Sequence, residues 1–208
     1  MIKAKEALII VSTIIVLAFA IALIDLKNLF LNSLLYMTII VGVNILSKKA
    51  ISYYLDTEIE IKSWEIKRFW YRKHDYLKKP IPIGLILPIL IKVISVGFVN
   101  WTASLTYEVK AKIYRVAKRH GLYAFTDISE TQIGVIAAAG IGMNLILALI
   151  SYLAGTPELA KLSLTFALFN LIPISELDGN KIFFGSLALW VFLASITLLA
   201  FLGSLLII

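Results

Sequence analysis

The chain has 208 residues, 60% of them apolar, a net charge of +7 and no cysteine. A composition this apolar, gathered into long blocks, exceeds what a soluble domain of this size carries and predicts an α-helical integral membrane protein, with residues 1–208 in a single membrane domain. Disulfides, thiolate metal sites and a cysteine nucleophile are excluded, and the basic excess at 48–79 and 107–132 reads as topology and lipid-headgroup contact, not nucleic-acid binding.

The first apolar block, 7–24, follows Met1-Ile2-Lys3-Ala4-Lys5. A basic start has signal-peptide character, but the block is long enough to span and no small-residue cleavage site follows it cleanly, so it reads as a retained helix. The short break Asp25-Leu26-Lys27-Asn28 makes it an antiparallel hairpin with the second block, 29–55. Near the end of that block, Asn44 and Lys48 stand four residues apart on one helix face.

The chain then turns polar. Thr57-Glu58-Ile59-Glu60-Ile61-Lys62 alternates as a strand does and predicts a small interfacial β element. Trp64, Phe69, Trp70, Tyr71 and Tyr76, set among Lys67, Arg68, Arg72, Lys73, Lys78 and Lys79, read as an interfacial belt on an anionic membrane face. Such mixtures also bind single-stranded nucleic acid, but the neighbouring spans set that reading aside.

The third block, 81–104, contains Pro82, Pro88, Lys92 and Gly97 and need not be a straight helix. Basic stretches flank it on both sides, so either it re-enters and returns to one membrane face or the positive-inside bias fails here. Within 107–120, Val109, Ile113 and Val116 against Lys110, Lys112, Arg115 and Arg119 predict an amphipathic helix on the membrane, with His120 at its polar end. The fourth block, 133–154, carries Ala139-Gly140-Ile141-Gly142-Met143-Asn144, where small residues permit close packing and Asn144 can bond across helices. A fifth block, 159–173, and a last one, 182–208, bring the expectation to about five to six membrane helices with a small interfacial β element.

Between the last two blocks lies Phe169-Asn170-Leu171-Ile172-Pro173-Ile174-Ser175-Glu176-Leu177-Asp178-Gly179. A carboxylate this close to hydrocarbon is expensive unless it faces a cavity, a metal or a cation, which makes Asp178 a candidate site residue. Pro173 and Gly179 are expected to unwind the backbone there. The string resembles the Asn-x-x-Pro-x-x-x-Leu-Asp-Gly motif of the site-two protease family of intramembrane zinc metalloproteases, where the Asp is the third zinc ligand. Glu60-Ile61-Lys62-Ser63-Trp64 is similar to a second family segment, and Gly140 to Asn144 to a third that carries Pro at the position of Ile141. Together these imply a site-two-protease-like core over residues 29–190, with 7–24 as an added N-terminal helix.

Aligned on Glu60 and Trp64, the family's His-Glu-x-x-His falls on Asn44, Ile45 and Lys48. A protonated Lys has no lone pair for zinc, and Ile cannot take a proton from a zinc-bound water. The two histidines, His74 and His120, lie far apart in polar segments. The resemblance thus implies a former site at Asn44, Lys48, Asn144, Asn170, Pro173, Asp178 and Gly179, with no catalytic residues and no cofactor; Lys48 either pairs with Asp178 in place of the metal or is, with Lys49, an ordinary cation snorkelling at a helix end.

The function expected is that of a non-catalytic site-two-protease-like protein of the cell membrane. It would bind membrane segments or partner proteins, including an extended peptide at a strand edge of the kind active relatives use. One alternative is an active zinc protease with atypical ligands such as Asp178, His74 and a partner's group. Another is a structural or transport subunit whose Lys48, Lys92, Asn144, Asn170 and Asp178 line a polar path. The bilayer is the expected partner in every case.

Overall fold

The computed structural model describes residues 4–23, 26–68, 76–112 and 128–207. Two long apolar runs form the hairpin α1 (Ala4–Ala22) and α2 (Leu26–Tyr54). The alternating segment follows as β1 (Thr57–Ser63), then come β2 (Ile66–Arg68), β3 (Tyr76–Ile81), the apolar helix α3 (Ile83–Ile94) and β4 (Leu105–Ala111). The described residues from 130 onward are mostly helical: α4 (Glu130–Leu153), α5 (Pro157–Asn170), α6 (Asp178–Gly185) and α7 (Leu187–Ile207). Ser129 caps α4 by accepting the Gln132 N–H, satisfying one of the free donors of a helix start.

Four helices, α1, α2 from Phe30, α4 and α7, are long and apolar enough to cross a membrane. Their outer faces carry Leu31, Leu35, Ile146, Leu149, Phe192 and Leu199, all exposed. In water such faces would be costly; in a bilayer they meet hydrocarbon. α4 is central and packs against α2, α5, α6 and α7, while α1 packs against α2, α3 and β1. The core lies between these elements and includes Met37, Ile40, Val41, Ile136, Ile141 and Ile182.

Two expected spans are shorter than a crossing. α5 has 14 residues, about 21 Å of helix against roughly 30 Å of hydrocarbon. α3 has 12, about 18 Å. Both stems of the α3 segment meet at one residue, since Trp64 N–H donates to Ser104 O at 3.0 Å and Gly84 N–H to Trp64 O at 2.9 Å. Residues 84–104 therefore leave and return to one place, the geometry that the re-entrant alternative requires. Lys92 lies inside this segment and is satisfied there, donating to Gly97 O at 2.9 Å and Asn100 Oδ1 at 2.5 Å.

β1 pairs antiparallel with β4, Ile61 opposite Tyr107, and β2 pairs with β3. The predicted strand is thus present, but the amphipathic helix expected from 107 is not: residues 107–111 are strand. The sequence 105–111 also alternates, with Leu105 and Tyr107 buried and Glu108 and Lys110 exposed, and pairing with β1 selects that period over the helical one. On the outer face Glu60 stands opposite Glu108, and the like charges are offset by Lys62–Glu108 at 2.5 Å and Lys110–Glu60 at 2.6 Å. The remainder of the expected helix, including His120, and Phe69 to His74 of the basic stretch lie outside the described residues. Trp64 does not sit in an exposed belt. It is buried against Trp101, whose ring stacks at 6.5 Å and in turn meets Phe169 at 4.8 Å.

Candidate functional site: a buried Lys–Asp pair

Asp178 opens α6 and is fully buried. The chain reaches it through the non-helical turn 171–177, where α5 ends and Pro173 lies exposed. Three carbonyls of this turn are held from three directions. Trp190 Nε1 donates to Leu171 O at 2.9 Å, Thr106 Oγ1 to Glu176 O at 2.7 Å, and Asn180 Nδ2 to Ser175 O at 2.5 Å. Gly179 does not unwind the backbone, for it lies within α6. Its hydrogen stands where a Cβ would come within 2.0 Å of Leu171 O, so α6 lies directly against the end of α5.

Lys48 reaches Asp178 from α2. Its ammonium donates to Asp178 Oδ2 at 2.5 Å, and both side chains are at least 95% shielded. Lys48 and Asn44 converge on α4 at Gly140, where an added Cβ would meet Lys48 Cε at 2.5 Å and Asn44 Nδ2 at 2.8 Å. Positions 44 and 48 therefore meet over a residue with no side chain, and Lys48 reaches on from there to Asp178. Asn144 lies one turn further along the same helix, and its backbone carbonyl accepts a bond from Ser163 Oγ of α5 at 2.8 Å. The cross-helix bond expected of Asn144 thus comes from its backbone. Its amide group, Asn44 Nδ2 and Asp178 Oδ1 are buried with no hydrogen-bond partner among the described residues. Asn170 is turned back into its own helix, donating to Phe166 O at 2.8 Å.

The sequence reading missed the sheet side of this centre. The Tyr107 ring lies between two cations, Lys181 Nζ at 3.7 Å and Lys48 Nζ at 5.2 Å, an arrangement favourable to positive charge. Tyr107 OH donates to Ile133 O at 2.7 Å. Lys181 donates to Tyr107 O at 2.6 Å and Thr106 Oγ1 at 2.9 Å. Lys181, on α6 outside the four spans, is lowered to about 8, first by burial and then by nearby Lys48, against the opposing pull of Asp178. Burial likewise pushes the Tyr107 phenol well above its ordinary value, with the Asp178 charge adding to it. The spacing Asp178 to Lys181, one turn of a helix, was the available signal; the helix expected at 107 hid Tyr107.

Chemically the centre is a closed ion pair. Among the described residues no group of three His, Cys, Asp or Glu side chains comes together. The Lys48 ammonium holds Asp178 Oδ2, and neither it nor the Asn44 amide nitrogen offers a lone pair, so these residues do not fit zinc. His74 and His120 lie outside the described residues. Lys92 bonds to Gly97 and Asn100, whereas Lys48 bonds across to Asp178, so the two cations lie in separate sets of polar contacts among the described residues.

Fold and site define a class: a helical integral membrane protein whose spans enclose an ion-paired polar centre. No protein-family model matches the chain, and no curated protein or solved structure matches it either.

Proposed function

We propose that this is a non-catalytic, site-two-protease-like membrane protein that binds membrane segments or partner proteins. The observation that carries the reading is the buried Lys48 ammonium on Asp178, with Asn44 beside Lys48 over Gly140. These are the positions at which the resemblance puts three zinc ligands, and a tethered cation there neutralises the carboxylate without supplying an activated water. A lysine amine bound in this way neither ligates metal nor acts as the base for hydrolysis. What such a fold retains is its capacity to hold another polypeptide.

Metal content of the detergent-purified protein, measured by mass spectrometry beside an Asp178→Ala control, tests this directly. The expected result is no stoichiometric zinc in either. Stoichiometric zinc that disappears in the control would overturn the reading. The complementary experiment rebuilds the centre: the triple variant Asn44→His, Ile45→Glu, Lys48→His should acquire zinc at one per chain and lose it again on Asp178→Ala. A folded triple variant that takes up no zinc removes the resemblance on which the proposal stands.

A further inference from the structure

A cavity of about 300 Å³ opens where α2 gives way to β1, lined by Lys49 and Tyr53 on the helix side and by Glu58 and Lys112 on the sheet side. Ser52 and Thr57, which also line it, lock helix end to strand start: Ser52 Oγ donates to Thr57 O at 2.9 Å, and Thr57 Oγ1 to Ser52 O at 3.1 Å. The Lys112 ammonium lies 4.3 Å over the Tyr53 ring, and Lys49, a quarter exposed, pairs with Glu6 at 2.8 Å. Glu58 stands opposite Lys110, whose ammonium bonds Glu60. The spanning part of α2 is Phe30–Tyr54, so the cavity lies at its last turns, beside the exposed Tyr53 and Tyr54, at the level where hydrocarbon gives way to headgroups. Leu35, Ile39, Gly42 and Leu46, spaced three and four residues apart, continue the helix face of Lys49 and Tyr53 into the hydrocarbon. The three apolar side chains of this stripe are exposed, and a Cβ at Gly42 would meet nothing within 4 Å.

A charged cavity at the interface, continuous with an open apolar stripe, has the outline of an amphipathic ligand. We infer that it binds one phospholipid with a primary-amine headgroup, of the phosphatidylethanolamine class: the phosphodiester lies on Lys49 and Lys112, the ammonium on Glu58, and an acyl chain along Leu46, Gly42 and Ile39. The lining charges choose the headgroup. Two ammonium groups suit the phosphodiester, and the carboxylate suits a cation that can donate a hydrogen bond to it. The quaternary ammonium of phosphatidylcholine has no N–H, and phosphatidylglycerol has no cation at all. Because Ser52 and Thr57 already hold the two walls together, little ordering is left for the lipid to impose. The site is independent of the Lys48–Asp178 centre and of the function proposed above.

Native mass spectrometry of the full chain in detergent, titrated with phosphatidylethanolamine, phosphatidylglycerol and phosphatidylcholine of identical acyl chains, tests the site. The expected result is one equivalent of phosphatidylethanolamine bound about tenfold more tightly than phosphatidylcholine, the equivalent of one charge-assisted hydrogen bond. Glu58→Gln should reduce that preference to near unity, and Lys112→Gln should weaken all three lipids by a similar factor. Gly42→Leu leaves every charge in place and should weaken them too, by filling the path of the acyl chain. Equal binding of the three lipids by the native chain would overturn the inference, as would a preference that survives Glu58→Gln. Phosphatidylglycerol bound more tightly than phosphatidylethanolamine would overturn the role given to the amine. Glycerophosphoethanolamine, the same headgroup without tails, should not displace the lipid at equal concentration. Displacement would make the ligand a free phosphate ester and overturn the lipid.

Discussion

Lys48 and Lys49 are adjacent in sequence, yet the fold gives them different work. Lys48 is buried on a buried carboxylate, whereas Lys49 is a quarter exposed and shares Glu6 with the Ile61 amide. Replacing Lys48 by Met strands Asp178 as an uncompensated charge, and a cost of about 3–5 kcal/mol is expected. Lys49→Met removes a partly exposed partner of Glu6 and should cost about 1 kcal/mol. The double variant Lys48→Met/Asp178→Leu should recover most of the loss, since a buried pair contributes little beyond an apolar one of similar shape. Thermal unfolding in detergent across the four proteins checks all three statements. Lys181 adds a pH dependence. Between its folded value of about 8 and the ordinary lysine value of 10.5, the unfolded chain still holds a proton that the folded chain has released. Stability should therefore rise with pH through that window, by at most about 1.4 kcal/mol per unit from this group, and Lys181→Met should flatten the rise.

At the scale of elements, the turn 171–177 and α6 act as one block packed on α4, with Gly179 against the Leu171 carbonyl at the end of α5. Gly179→Ala drives a Cβ into the Leu171 carbonyl, a backbone atom that cannot move aside, and should cost several kcal/mol or prevent folding. Gly142→Ala, whose added Cβ meets nothing within 4 Å, should leave the melting temperature within about a degree or two of native or raise it slightly. What the sequence made legible here followed from period and length. The hairpin of α1 and α2, the strand over Thr57 to Lys62 and the helical break after Asn170 were all readable, because a short polar break, an alternation and a proline each act locally. The strand at 105–111 was not, because a segment with apolar residues at 105, 107, 109, 113 and 116 satisfies two periods, and only the presence of β1 fifty residues away chooses between them. Two of the expected spans, α3 and α5, are shorter than a crossing for a related reason. Hydropathy marks apolar residues without saying whether the chain crosses or turns back, and the closure at Trp64 that turns α3 back is made by backbone hydrogen bonds that leave no trace in composition.

Taken whole, the molecule places β1, β4, the Lys48–Asp178 pair and both stems of the re-entrant segment toward one end of the bundle. The turn between α4 and α5 lies at the other end of α4 from its Tyr107 contact. Because the chain contains no cysteine, single introduced thiols report without background. Ile81→Cys and Lys110→Cys, both at exposed positions before and after the re-entrant segment, should react with an impermeant thiol reagent from the same side of sealed vesicles. Thr156→Cys should react only from the opposite side. Labelling of positions 81 and 110 from opposite sides would make the α3 segment a crossing and overturn the re-entry. The pairing of Lys48 with Asp178 was legible at this scale because a carboxylate in an apolar run needs a counter-charge and few cations were within reach of the bundle. Gly140, Lys181 and Glu6 were not, since each acquires its meaning only from a neighbour that the fold brings from elsewhere in the chain.

One consequence of the Lys48–Asp178 pair concerns supply. An ion held by side chains has to be acquired after synthesis and can be withdrawn by a chelator or by scarcity, so the charge at such a centre follows its surroundings. The Lys48 ammonium is covalently part of the chain and arrives with it during translation. Every folded copy carries its own counter-charge at full occupancy, and the interior of this protein is electrically complete from the moment α2 and α6 meet.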